Sequence, residues 1–69
     1  MKKIAEFIRN KRRQSQLTQA ELAERAGVGL RFIRELESEK ETLKLDKVNT
    51  VLRLFGHILG PVPIKRDDE

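Results

Sequence analysis

Sixty-nine residues and about 8.0 kDa leave room for one small domain. With no cysteine and a single histidine, disulfide staples, cysteine zinc sites and a histidine-built metal centre are excluded; no apolar run approaches the ~18 residues of a membrane span. The absence of Trp and Tyr leaves three Phe, too few to build a stacking platform for single-stranded bases.

The opening run Met1-Lys2-Lys3-Ile4-Ala5-Glu6 is basic but lacks a long apolar stretch and a cleavage site, so it is not read as a secretory signal. The expectation is a soluble cytoplasmic protein without a cofactor. A chain this short buries only roughly 60% of its unfolded surface, which predicts an oligomer. The formal net charge is +4. Residues 1–40 hold ten Lys/Arg and six Asp/Glu, whereas residues 41–69 hold five of each, so the excess lies entirely in the first part. Such one-sidedness favours a polyanion partner, nucleic acid or acidic lipid, but a charge run is more often a solvated helix face, and charge alone does not decide.

In chain order, Ile4 and Ile8 sit four apart with Ala5 and Phe7 flanking, which predicts a helix over 4–14. Ser15-Gln16 break it. Thr18-Gln19-Ala20-Glu21 is a capping box, and Leu17 before it can staple onto Leu22. A second helix follows to about Ala26, stopped by Gly27 in a left-handed conformation. After Val28-Gly29, a third helix runs from Leu30 to about Ser38, with Ile33 and Leu36 inward. Residues 39–44 are polar, aperiodic and read as a loop. A fourth helix spans roughly 45–55, with Leu45, Val48, Val51, Leu52 and Phe55 on one face, and Gly56 stops it.

Residues 57–64 are apolar and β-branched, and Pro61 and Pro63 forbid helix. The two prolines share a parity, so an edge strand here lacks N–H groups on one side only. Ile58, Gly60, Val62 and Ile64 can still bond along the other. Nothing else in the chain reads as a strand, so the expected partner is the same strand of a second copy, in a homodimer. The alternative is a tail folded over the helices. Residues 65–69 are expected to be disordered. The organisation is then 1–56, a helical domain, 57–64, a dimerising strand, and the tail.

Leu22, Ala23, Ala26, Val28, Ile33 and Leu36 are small or apolar wherever two short helices joined by a Gly27 turn must touch. Singly each is ordinary core. Together with the capping box they define a helix-turn-helix unit, an all-α fold of four helices.

The run from Leu17 to Val28, LTQAELAERAGV, resembles the phage-repressor-like (Xre) helix-turn-helix family. The continuation GLRFIRELE over 29–37, with LDKVN over 45–49 and LFGH over 54–57, resembles a narrower branch, the HipB-like antitoxins. The resemblance covers residues 4–62. Phage repressors usually end in a fifth helix; Gly60, Pro61 and Pro63 depart from them and agree with the strand-ended branch.

On this reading residues 1–56 are a helix-turn-helix DNA-binding domain, and the third helix enters the major groove of double-stranded operator DNA. Gly29, Leu30, Arg31, Arg34 and Glu35 point away from the Ile33–Leu36 face and form the base-facing set. Arg31 and Arg34 suit guanine, Leu30 a thymine methyl, and Glu35 either cytosine or, more simply, Arg31 at i, i+4. Thr18 and Gln19 open the second helix toward phosphate, with Thr18 equally readable as a cap alone. Arg9, Ser38, Lys40 and Lys44 are further phosphate candidates. Phe32 has no secure place. The resemblance implies a structural ion pair between Arg12 and Glu37. It also implies an operon-autoregulating repressor and antitoxin whose partner is a HipA-like serine/threonine kinase toxin. The alternatives are a toxin-independent repressor of phage or restriction–modification type, or a protein-interaction adaptor. No nucleophile–base pair or metal cluster can be assembled around His57, so no enzyme is expected.

Overall fold

The computed structural model describes residues 2–64: four helices and, among the described residues, no strand. They are α1 (Lys2–Gln14), α2 (Gln19–Ala26), α3 (Leu30–Glu37) and α4 (Leu45–Leu54). The all-α, four-helix architecture agrees with the sequence reading. α1 starts two residues earlier than its spacing predicts, with no acid in its first turn.

The start of α2 is fixed by its own side chains. Thr18 Oγ1 accepts the N–H of Glu21 at 3.1 Å, and the Thr18 N–H donates to Glu21 Oε1 at 2.8 Å. This reciprocal cap satisfies two backbone or end groups that helix geometry leaves orphaned. The Glu21 carboxyl lies below its usual range because of the Thr18 N–H, and then of the Thr18 hydroxyl.

All four helices end in one backbone pattern. A residue one or two positions past each end is left-handed: Gln16, Gly27, Glu39 and Gly56, with φ of 57°, 73°, 67° and 75°. The next N–H reaches five residues back, Leu17 to Arg12 at 3.0 Å, Val28 to Ala23 at 3.0 Å, Lys40 to Glu35 at 3.3 Å and His57 to Leu52 at 3.0 Å. These are Schellman turns, which satisfy last-turn carbonyls. A Cβ at Gly27 or Gly56 would meet nothing within 4 Å, so the requirement there is backbone conformation rather than space.

The core joins all four helices: Ile8 from α1, Leu22 and Ala23 from α2, Ile33 and Leu36 from α3, Val48, Val51 and Leu52 from α4, with Leu17 from the first turn. Each large one contributes roughly 1.5–3 kcal/mol by burial. Ala26 and Val28 are half-buried against this cluster. Leu45 differs from expectation: it is 59% exposed. It is the first residue of α4, and the buried stripe begins a turn later at Val48.

Residues 57–64 form neither helix nor strand in the single chain. A ladder requires a second strand, and none lies among the described residues. The segment is anchored on its own chain instead. The Leu59 N–H donates to Asn49 Oδ1 at 2.7 Å, and His57 stands edge-on to Phe7 with ring centres 4.6 Å apart. Between the segment and α1 runs an apolar groove of about 350 Å³, lined by Ile4, Phe7, Leu52, Ile58, Leu59 and Val62, among others. Ile58, Val62 and Ile64 are exposed. The predicted disordered tail, 65–69, lies outside the described residues.

Candidate nucleic-acid interface

α3 is two-faced. Ile33, Leu36 and Glu37 are buried, while Gly29, Arg31 and Arg34 are exposed and Leu30 and Glu35 half-buried. Gly29, Arg31, Arg34 and Glu35 lie off the buried stripe, whereas Leu30, also read as base-facing, packs partly buried against the core because it opens the helix beside the apolar cluster. Gly29 precedes the helix in an extended conformation and offers no side-chain cap, so no side chain covers the first N–H groups of α3. Phe32, which the sequence leaves unplaced, packs half-buried against the core, with Lys47 Nζ 5.9 Å from its ring centre.

At the last turn of α3, a cluster of charge ties three helices together. Arg12 of α1 donates through Nε to Glu37 Oε2 at 2.7 Å and through Nη2 to Oε1 at 3.0 Å. Its Nη1 donates to the Leu17 carbonyl at 2.9 Å. Gln19 Nε2, at the start of α2, donates to Glu37 Oε1 at 3.2 Å. Arg9 donates to the Glu37 main-chain carbonyl. Glu37 is 5% exposed. Burial, the largest single influence, pushes its carboxyl upward. The hydrogen bonds from Arg12 and Gln19, with the charges of Arg12 and Arg9, outweigh it and hold the group below the usual carboxylate range. The Glu37 hydrogen bond likewise raises Arg12. No buried side-chain polar atom among the described residues is left without a partner.

This geometry bears on the phosphate candidates one by one. Thr18 caps α2, and its hydroxyl accepts from Glu21. Gln19 has one amide hydrogen on Glu37 and a second that the cluster does not use. Arg9 is half-buried and committed to α3's last turn. Ser38 Oγ donates to the Glu35 carbonyl at 2.9 Å. Lys44 is the exposed residue before α4. Lys40 Nζ lies 2.6 Å from Glu35 Oε2.

Two of these links are not visible in sequence spacing. Glu35 is expected to pair with Arg31 one helical turn away, yet Lys40 makes the hydrogen bond and Arg31 acts only through its charge. Lys40 is five residues on, a spacing that faces no helical neighbour until a turn folds it back. The Gln19–Glu37 contact spans eighteen residues and requires the packed fold.

Among the described residues, no group of His, Cys, Asp and Glu could hold a metal ion, and no helix is long and apolar enough to cross a membrane.

The helix-turn-helix domain family model matches residues 5–57. An uncharacterized HTH-type transcriptional regulator of Sinorhizobium fredii is 47% identical over a 61-residue alignment that covers 84% of this chain and 80% of that protein. The matched span takes in the capped α2, its glycine turn and the two-faced α3, and the chain belongs to the helix-turn-helix domain family.

Proposed function

We propose that the protein is a DNA-binding transcriptional regulator that represses from an inverted-repeat operator. One observation carries the reading: α3 turns Arg31 and Arg34 to solvent while Ile33 and Leu36 lock its other face into the core. A helix held this way beside the capped start of α2 fits a major groove, with phosphate near the α2 N-terminus. Gly29, Leu30, Arg31, Arg34 and Glu35 face base edges. Thr18, Gln19, Ser38, Lys44 and Arg9 lie near backbone, with Lys40. Arg31 and Arg34 each supply roughly 1–3 kcal/mol of discrimination.

The active form is a homodimer through 57–64. Supporting this, Ile58, Gly60, Val62 and Ile64 donate no backbone hydrogen bond among the described residues, and their three side chains are exposed. A dimer doubles the charge to about +8 and sets half-sites roughly 34–36 Å apart. Selection of duplexes from a random library by the full chain tests both ideas. The expected product is a two-fold symmetric sequence, and an unpatterned pool rejects the reading. Arg31→Ala then relaxes preference at one base pair; an equal loss on all duplexes reassigns Arg31 to phosphate. Removal of residues 57–69 is expected to yield monomers.

The antitoxin role rests on the resemblance of residues 29–37, 45–49 and 54–57 to the HipB-like branch. It requires a HipA-like kinase as partner, and capture of such a kinase from the native cell by the full chain tests it. Recovery of DNA alone favours a toxin-independent repressor.

A further inference from the structure

A Schellman turn is commonly closed by an apolar contact, in which the residue after the left-handed one packs back on the last helical turn. After α1 and α2 that residue is Leu17 or Val28, and both join the core. After α3 it is Lys40. Its N–H bonds the Glu35 carbonyl at 3.3 Å, and its ammonium bonds the Glu35 carboxylate at 2.6 Å. An ion pair thus stands where the apolar contact would be. The turn also brings it about, since the backbone bond between the same two residues starts both side chains from adjacent points. Glu35 sits in the field of Arg31 as well. The carboxylate therefore engages one phosphate candidate and partly neutralises one base reader, on the exposed side of the helix.

We propose that Glu35 is a specificity-determining residue that withholds Lys40 from phosphate until the carboxylate finds a donor on a base edge. The inference rests on the DNA-binding reading. On arbitrary DNA, moving Lys40 to a phosphate strands Glu35 against a polyanion, so non-specific binding is opposed. At a site that presents a cytosine amino group, Glu35 accepts from the base and Lys40 is released to the backbone. Discrimination here comes from a repulsive element as much as from an attractive one.

The test uses the full chain and a short, fluorescently labelled random-sequence duplex, with affinity followed against salt. Glu35→Gln is expected to bind that duplex several-fold more tightly at low salt. Its slope of log affinity against log salt is expected to steepen by about 0.9, one phosphate contact, which is an extra loss of about 3.5-fold between about 50 and 200 mM. Lys40→Gln is expected to abolish the gain in the Glu35→Gln background and to change little alone. The affinity ratio between a duplex selected by the wild type and the random duplex is expected to fall in Glu35→Gln. Glu24→Gln, an equal charge change at an exposed position of α2, controls for net charge. Equal gains from Glu35→Gln and Glu24→Gln, or a gain that survives Lys40→Gln, overturn the inference while leaving the DNA-binding reading intact. Wild-type protein that binds no duplex even at low salt overturns both.

Discussion

Glu37 and Glu35 are two residues apart on one helix and carry the same carboxylate, yet they do different work. Glu37 is buried, gripped by Nε and Nη2 of the Arg12 guanidinium and by Gln19, so three helices converge on it. Glu35 has a 30% exposed side chain and one ammonium at 2.6 Å. Water can replace Lys40 at Glu35 at little cost, whereas nothing can replace Arg12 at Glu37. Burial thus turns one ion pair into scaffold and leaves the other exchangeable.

The harshest trial of this contrast is Glu37→Ala. It leaves the Arg12 charge half-enclosed with no counter-charge, and about 3–5 kcal/mol of stability should disappear, a large share of what a small domain holds. Urea unfolding followed by helical circular dichroism reads it. Glu35→Ala measured alongside should leave the midpoint where it was. Equal costs at the two positions would erase the distinction.

Arg12→Lys is gentler. It keeps the charge but loses the fork that meets both Glu37 oxygens and the Leu17 carbonyl, so a cost of about 1.5–3 kcal/mol is expected. A silent Arg12→Lys would mean that charge alone, without geometry, holds the cluster.

Acid sharpens the same point. Because the folded Glu37 carboxyl lies below its unfolded value, about 4.3, its contribution is fully present above that pH. It is lost as pH falls through the lower folded value. The urea midpoint should therefore hold near neutrality and decline below about pH 4.3. The decline should be shallower in Arg12→Lys, whose carboxyl moves back toward the unfolded value. A midpoint insensitive to acid would contradict the assignment.

The smallest effect concerns the turn that builds the outer pair. Glu39→Gly relieves a left-handed glutamate, and a gain of about 0.5–1 kcal/mol is expected after the unfolded-state entropy of glycine is set against it. A loss instead would mean that the Glu39 side chain holds the turn.

The turns also explain what could be read without coordinates. The capping box, the glycine stops at 27 and 56, and the apolar faces of the four helices are written in residue types whose physics is local. Gln16 and Glu39 adopt the same left-handed turn with side chains that announce nothing, so the ends of α1 and α3 read only as a break and a loop. Leu45 carried the right spacing, but spacing does not say where the layer beneath begins. The exposed side of α3 followed from periodicity. The contacts of Gln19 and Lys40 did not, because both depend on how distant or turned backbone is brought together.

The hydrogen bond from Leu59 to Asn49 has a spectroscopic consequence. Among the described amides from 58 to 64 it is the one with a partner, and the other two odd positions, 61 and 63, are prolines. In solvent deuterium exchange, an isolated chain should show a single slow proton, at Leu59, within a fast stretch. Pairing with a second copy would add protection at Ile58, Gly60, Val62 and Ile64, so the parity of the slow amides reports whether the arm is alone or joined.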